Sequence, residues 1–188
     1  GLVYHPLNTA YQASELAYFL GNAEPTIVIC DSAAHTIIEP LVPATTKAIL
    51  TLDADGSGSL AQQSAGSSTQ QAIVERGEDD MAALLYSSGT TGRPKGIMLT
   101  HSNLASNNRT LVEAWGFSAS DCLLHALPIF HVHGLFVGLG CVLMSGASMV
   151  WLNKFDAETI VTALPNCTVM MGVPTYYTRL LSHAGFDR

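Results

Sequence analysis

The chain has 188 residues, 48% of them hydrophobic and only 12% charged, with eight Lys and Arg against fifteen Asp and Glu for a formal charge of −7. So apolar a composition, with 16 Gly and 8 Pro, excludes a disordered, collagen-like or proline-rich chain and matches the size of one ordinary domain. The charge is uneven: residues 1–80 hold ten acids and two bases (Lys47, Arg76), while residues 81–188 hold six bases and five acids. That leaves no basic stripe of the kind a nucleic-acid partner requires, and any bound anion must be met at a small site in the second half.

An extended stretch at 2–4 leads to Leu16, Phe19 and Leu20, which fall at helical spacing within 14–22. Thr26-Ile27-Val28-Ile29-Cys30 reads as a buried strand ending at Asp31, giving a strand–helix–strand rhythm. Residues 33–41 read as a helix cut short by Pro40, and 47–52 as a strand. Residues 53–71, rich in Gly, Ser, Ala and Gln, read as an exposed loop.

An apolar strand at 81–86 then runs into a glycine-rich segment, with 97–100 extended again. After His101 and Ser102 a helix is expected to reach Trp115, with Ser102 as its N-cap and Leu104, Leu111 and Val112 on its buried face. A strand at 122–127 leads to Pro128-Ile129-Phe130-His131-Val132-His133-Gly134. Residues 132–152 contain no Asp, Glu, Lys or Arg and are long enough to cross a bilayer. His133, Ser145, Ser148 and four glycines instead divide them into a buried helix 135–145, stopped by Gly146, and a strand 148–152. No membrane span is therefore expected.

Asp156 caps a helix at 157–164, 167–171 is the next strand, and Pro174 opens a closing helix that runs to about 183. Strands alternating with helices predict an α/β fold with largely parallel sheets flanked by helices. Cys30, Cys122, Cys141 and Cys167 lie in apolar runs without a CxxC pair, and read as reduced thiols of an intracellular protein.

The strongest chemical signal is Tyr86-Ser87-Ser88-Gly89-Thr90-Thr91-Gly92-Arg93-Pro94-Lys95-Gly96. Its glycines let the backbone approach a ligand closely, while four hydroxyls (Ser87, Ser88, Thr90, Thr91) and the Lys95 ammonium suit phosphate oxygens. It is not a Walker A loop, because only two residues separate Gly89 from Gly92 and Lys95 is followed by Gly96. His131 and His133, two apart, could share a face and bind metal, but no third ligand is placed near them, so no metal site is expected.

The segment from Tyr86 to Gly96 resembles the phosphate-binding signature of the adenylate-forming superfamily, which includes acyl-CoA synthetases, peptide-synthetase adenylation domains and luciferases. Pro128 to Gly134 resembles that family's aromatic-His motif. At finer grain Pro6-Leu7-Asn8-Thr9-Ala10-Tyr11, His125-Ala126-Leu127-Pro128-Ile129, and Met171-Gly172-Val173-Pro174-Thr175-Tyr176-Tyr177-Thr178-Arg179-Leu180-Leu181 are similar to malonyl-CoA synthetases. The resemblance implies a central piece, 1–188, of a large N-terminal AMP-binding domain, with its beginning and the small C-terminal domain lying outside.

It further implies ATP, Mg²⁺ and CoA as reactants, with the Mg²⁺ and CoA ligands mostly elsewhere. Ser87, Ser88, Gly89, Thr90, Thr91, Gly92 and Lys95 would hold the β and γ phosphates. Lys95 and His131 would take the catalytic roles, His131 beside the carboxylate and α-phosphate, and Met171 and Gly172 would line the acid. A diacid's far carboxylate is costly to desolvate and wants a cation, for which Arg179 is the candidate; a solvent-facing Arg on an amphipathic helix is the equal alternative. The expected function is AMP-forming ligation of a small carboxylate such as malonate to CoA. A medium-chain or aryl acyl-CoA synthetase and a non-catalytic nucleotide-binding module are the alternatives. The expected compartment is the cytoplasm, or the mitochondrial matrix in a eukaryote, and these 188 residues are not expected to complete the reaction alone.

Overall fold

The computed structural model describes residues 1–87 and 92–186. They form two compact units, one of residues 7–74 and one of residues 1–6 with the described residues from 75 onward.

In the first, helix α1 (Ala13–Ala23) opens with a capping box, in which the Gln12 backbone N–H donates to the Glu15 carboxylate at 2.9 Å. Its Leu20 packs with Val28 of strand β1 (Ile27–Cys30) and Ile38 of the short helix α2 (His35–Ile38). Pro40 ends that helix, and only a 3₁₀ turn, Glu39–Leu41, follows. Strand β2 (Ala48–Thr51) pairs with β1 in parallel, from Ile27 opposite Ala48 to Cys30 opposite Thr51. The expected loop at 53–71 is corrected in part, since Ser59–Ser64 forms helix α3. Its start is tied back to β2: the Ser59 N–H donates to Thr51 Oγ1 and the Thr51 N–H to Ser59 Oγ, both at 2.9 Å. That tether depends on β2 already being placed, so the composition of 53–71 alone gives no sign of it.

In the second unit, strand β3 (Met81–Ser87) pairs with β4 (Lys95–Thr100) in an antiparallel hairpin, the exception to the parallel pairing elsewhere. Tyr4 adds a parallel bridge to Ala83 on the other side of β3. Helix α4 (His101–Trp115) starts where β4 stops, so its N-cap is Thr100 and not Ser102. Thr100 Oγ1 accepts the Asn103 N–H at 3.1 Å, and the Asn103 side chain accepts the Thr100 N–H at 3.1 Å. The most buried residue of α4 is Asn108, with Leu104, Leu111 and Val112 half-buried beside it.

Strand β5 (Cys122–His125) lies between β6 (Ser148–Trp151) and β7 (Val169–Met170), both parallel to it. Successive residues of β5 face opposite ways, so Leu123 joins Phe117, Leu127 and Cys141 in one core while Leu124 joins Ile160 and Leu180 in the other. Between β5 and β6 the chain makes a wide π-helical turn, His133–Gly138, before helix α5 (Leu139–Ser145), which ends at Gly146 with φ 73°. The helix expected at 135–145 thus begins two residues early and buries one side only, Leu143 being 73% exposed. Asp156 caps α6 (Ala157–Ala163) by accepting the Thr159 N–H at 2.9 Å. Strand β7 has two residues in place of the five expected, and a 3₁₀ turn at Leu164–Asn166 precedes it. Helix α7 (Pro174–Leu181) closes the unit with Pro174 in its first turn.

The α5 connection carries the chain to one side of β5 and the α6 connection carries it back to the other. Strand order therefore reverses at β5, and the loops leaving the C-terminal ends of β5 and β7 border a crevice, the usual ligand position in parallel α/β sheets. No described helix is long and apolar enough to cross a membrane.

Candidate functional site

The glycine-rich segment leaves the open end of the β3–β4 hairpin. Ser87 and Lys95 are its last rung, opposite each other, so the Lys95 ammonium and the Ser87 hydroxyl are carried on paired backbone at the mouth of the loop. Gly92 has φ 104°, a conformation open to glycine and strained for any side chain. Ser88, Gly89, Thr90 and Thr91 lie outside the described residues. The hairpin is backed by His5, whose Nδ1–H donates to the Leu84 carbonyl at 2.9 Å and whose ring lies 5.3 Å from that of Tyr86. Burial holds the His5 pKa below its ordinary value, against the opposing pull of that hydrogen bond.

The donor set fits a polyphosphate. Residues 81–100 contain Arg93 and Lys95 and no carboxylate, so an anion there meets hydroxyls, amides and two cations with no like charge on the same hairpin. Among the described residues no three His, Cys, Asp or Glu side chains converge as a metal site.

The second part of the site leaves β5. Gly134 is buried beneath the turn it terminates: a Cβ there would collide with the Pro128 carbonyl oxygen and stand 3.1 Å from that of Leu127. His131 is exposed on this turn with its ring 4.5 Å from that of Phe130, while its carbonyl accepts the Leu135 N–H at 3.0 Å. The turn is also held from α7, where the Tyr176 hydroxyl donates to the Ala126 carbonyl at 3.1 Å and the Tyr176 ring stacks 4.1 Å from Phe155.

His133, Met171 and Gly172 meet in a cleft of about 320 Å³, lined also by Phe117, Asp121 and Tyr177. Of the residues singled out in the sequence, Met171 and Gly172 line this cleft together with His133, and His131 does not. The wall formed by Phe117 and Asp121 comes from the α4–β5 connection, which the motifs do not mark. Asp121 is held below its ordinary pKa by hydrogen bonds, first from the Thr168 hydroxyl and then from Ser118, so it stands as a carboxylate at the rim.

Arg179 lies elsewhere. It is two residues from Tyr177, which puts it on nearly the opposite side of α7, and its guanidinium sits 4.6 Å over the Phe155 ring. Arg179 is exposed, and among the described residues it makes no ion pair within 4 Å.

Behind the cleft is a residue that the motifs included without explaining. His125, 1% exposed at the end of β5, stacks 4.8 Å from Trp151, and neither ring nitrogen has a partner among the described residues. Gly138 makes room for it, since a Cβ there would stand 3.1 Å from His125 Nδ1. Burial, and secondarily the charge of His133, hold His125 below its ordinary pKa.

The chain thus carries a glycine-rich segment between two antiparallel strands and a His-bearing turn after the central strand of a parallel sheet. The chain belongs to the AMP-binding enzyme family, whose pattern matches residues 1–188. Malonate–CoA ligase ACSF3, mitochondrial, of Xenopus laevis is 33% identical over 191 residues, 97% of this chain and 32% of that protein. The human protein of the same name is 31% identical over 194 residues, covering 100% of this chain and 33% of its own length. ATP-bound MatB from Rhodopseudomonas palustris matches with a TM-score of 0.93 at 51% identity, over 97% of this chain and 36% of that one. The inhibitor-bound N-terminal domain of FACL13 from Mycobacterium tuberculosis matches with a TM-score of 0.85 at 26% identity, over 97% of this chain and 46% of that one. The chain thus spans about a third of the length of the curated relatives named here.

Proposed function

We propose that this segment is the ATP- and carboxylate-handling part of an AMP-forming acid–CoA ligase whose acid is malonate. The observation that supports the reading is the similarity to malonate–CoA ligases, 33% identical over 97% of the chain in Xenopus laevis, beside the match to ATP-bound MatB at 51% identity. The reaction would join malonate to ATP as malonyl-AMP with loss of pyrophosphate, and then transfer the malonyl group to the CoA thiol.

An ionised carboxylate needs no general base to attack phosphorus, so the residues are asked for positioning and charge stabilisation. Ser87, Ser88, Gly89, Thr90, Thr91, Gly92 and Lys95 would cradle the β and γ phosphates, with Lys95 meeting the charge that develops on pyrophosphate. His131 would take its place beside the reacting carboxylate and α-phosphate, and the cleft at Met171 and Gly172 would receive the acid. Mg²⁺ would arrive with the phosphates, its protein ligands lying mostly outside residues 1–188. We assign the protein to a compartment that holds both ATP and CoA, the cytoplasm or a mitochondrial matrix.

Arg179 is our candidate for the distal carboxylate, a role that requires its guanidinium to leave Phe155. In the full-length protein Arg179→Ala should raise KM for malonate far more than for butyrate, and equal changes would remove the assignment. The function itself is tested by ATP–pyrophosphate exchange with the full-length protein on malonate, methylmalonate, acetate and octanoate. Exchange with malonate above the others is expected. Exchange with octanoate alone would overturn malonate as the acid, and no exchange with any acid would leave a nucleotide-binding module.

A further inference from the structure

Cys122 begins β5 and Cys167 lies just before β7, 45 residues later, and the Cys122 thiol points at the Cys167 sulfur at 3.9 Å. Two thiols from separate elements do not meet by sequence proximity; the parallel pairing of β5 with β7 brings them together. The frame around them is well held. The Thr168 N–H donates to the Cys122 carbonyl at 3.0 Å, the Cys122 N–H to Thr168 Oγ1 at 3.0 Å, and the Thr168 hydroxyl to Asp121 Oδ1 at 2.8 Å. Both cysteines are half-buried, so a small reagent has access to the pair, unlike the fully buried Cys141.

The geometry points to Cys122 and Cys167 as a dithiol site that closes to an intramolecular disulfide on exposure to a small-molecule disulfide. No other cysteine pair among the described residues shows such a contact. Closing the bond brings the sulfurs from 3.9 Å to about 2.05 Å.

The chemistry balances as two thiol–disulfide exchanges. Cys167 holds its proton tightly, its pKa pushed up to about 11 by burial first and then by the neighbouring Cys122. Taken from Cys122, the first exchange has a thiolate attack the external disulfide, form a mixed disulfide and release one small thiol. The Cys167 sulfur, losing its proton to solvent, then attacks Cys122 Sγ and releases the second small thiol. The external disulfide is reduced, the protein pair is oxidised, and a dithiol reductant reverses both steps. This site does not depend on which acid the protein activates.

The test uses the full-length protein, incubated with excess glutathione disulfide at pH about 8.5, where thiolate is plentiful, then alkylated, digested and analysed by mass spectrometry. The expected result is a peptide linked through Cys122 and Cys167, loss of two titratable thiols, and restoration of both by dithiothreitol. Thermal unfolding of the wild type should shift upward on oxidation, whereas Cys122→Ser and Cys167→Ser should show no shift and a stable glutathione adduct on the remaining cysteine. Unmodified thiols at both positions, glutathione adducts alone in the wild type, or a link to Cys30 or Cys141 would each overturn the proposal. The wild-type linkage is read directly, so the conclusion does not rest on either variant folding.

Discussion

Gly134→Ala tests the claim that the His-bearing turn is held in one position by its own backbone. An added Cβ would collide with the Pro128 carbonyl oxygen and stand 3.0 Å from the Pro128 carbonyl carbon and 3.1 Å from the Leu127 oxygen, against an ordinary contact of 3.4–4 Å. These three neighbours are all backbone atoms, so no side chain can swing aside, and the turn from Pro128 to His131 has to withdraw by roughly an ångström. Overpacking of this kind costs about 1–3 kcal/mol. The shift per kcal/mol falls with chain size, so Tm of the full-length protein should drop by about a few degrees. Displacing catalytic groups by ~1 Å can cost about 100-fold in rate, so pyrophosphate exchange should fall by more than the loss of folded protein explains. Both are measured on the full-length protein, Tm by calorimetry and exchange at a temperature where the variant is folded. Wild-type Tm together with wild-type exchange would refute the packing argument. A lowered Tm with unchanged exchange would refute the link from Gly134 to the reacting groups.

Gly21→Ala is the opposite case, since α1 leaves open space around a Cβ at Gly21; removing a helix-interior glycine should stabilise by about 0.5–1 kcal/mol in denaturant unfolding. His125 yields a pH dependence. Its folded pKa lies below the unfolded value of 6.5, so the unfolded chain binds more protons in acid. This contribution to stability is full above about pH 6.5 and falls as the pH drops toward the folded pKa. His125→Leu should flatten the fall of Tm between pH 7 and 5, and an unchanged slope would show that the imidazole is not held neutral. Asp156→Ala removes the oxygen that accepts the Thr159 N–H and should cost about 0.5–2 kcal/mol of unfolding free energy. Tyr176→Phe removes the bond to the Ala126 carbonyl and should cost about 1 kcal/mol.

What could be read from the sequence was what neighbouring residues decide among themselves. Helix α1 follows the spacing of Leu16, Phe19 and Leu20, Asp156 caps α6 through a residue three positions on, and Gly146 takes the left-handed conformation that ends α5. The family of the chain was legible for a related reason: the hydroxyls, glycines and lysine of the glycine-rich segment fall within nine consecutive positions, 87–95, so the pattern stands in the sequence whatever surrounds it.

The tertiary structure decided the rest. Thr100 displaces Ser102 as the cap of α4 because β4 runs up to that residue, and Ser59 starts a helix because Thr51 of β2 is there to bond it. The order β6-β5-β7 brings His133 to Met171 and Gly172, and Cys122 to Cys167, across gaps of tens of residues. Local patterns carry no record of such distances, because pairing between remote strands is settled by which apolar faces can be buried together. Arg179 shows the limit most plainly. Its charge and its place after the Met171-Gly172 segment made it a candidate from the sequence, yet the turn of α7 and the ring of Phe155 determine where that charge is held.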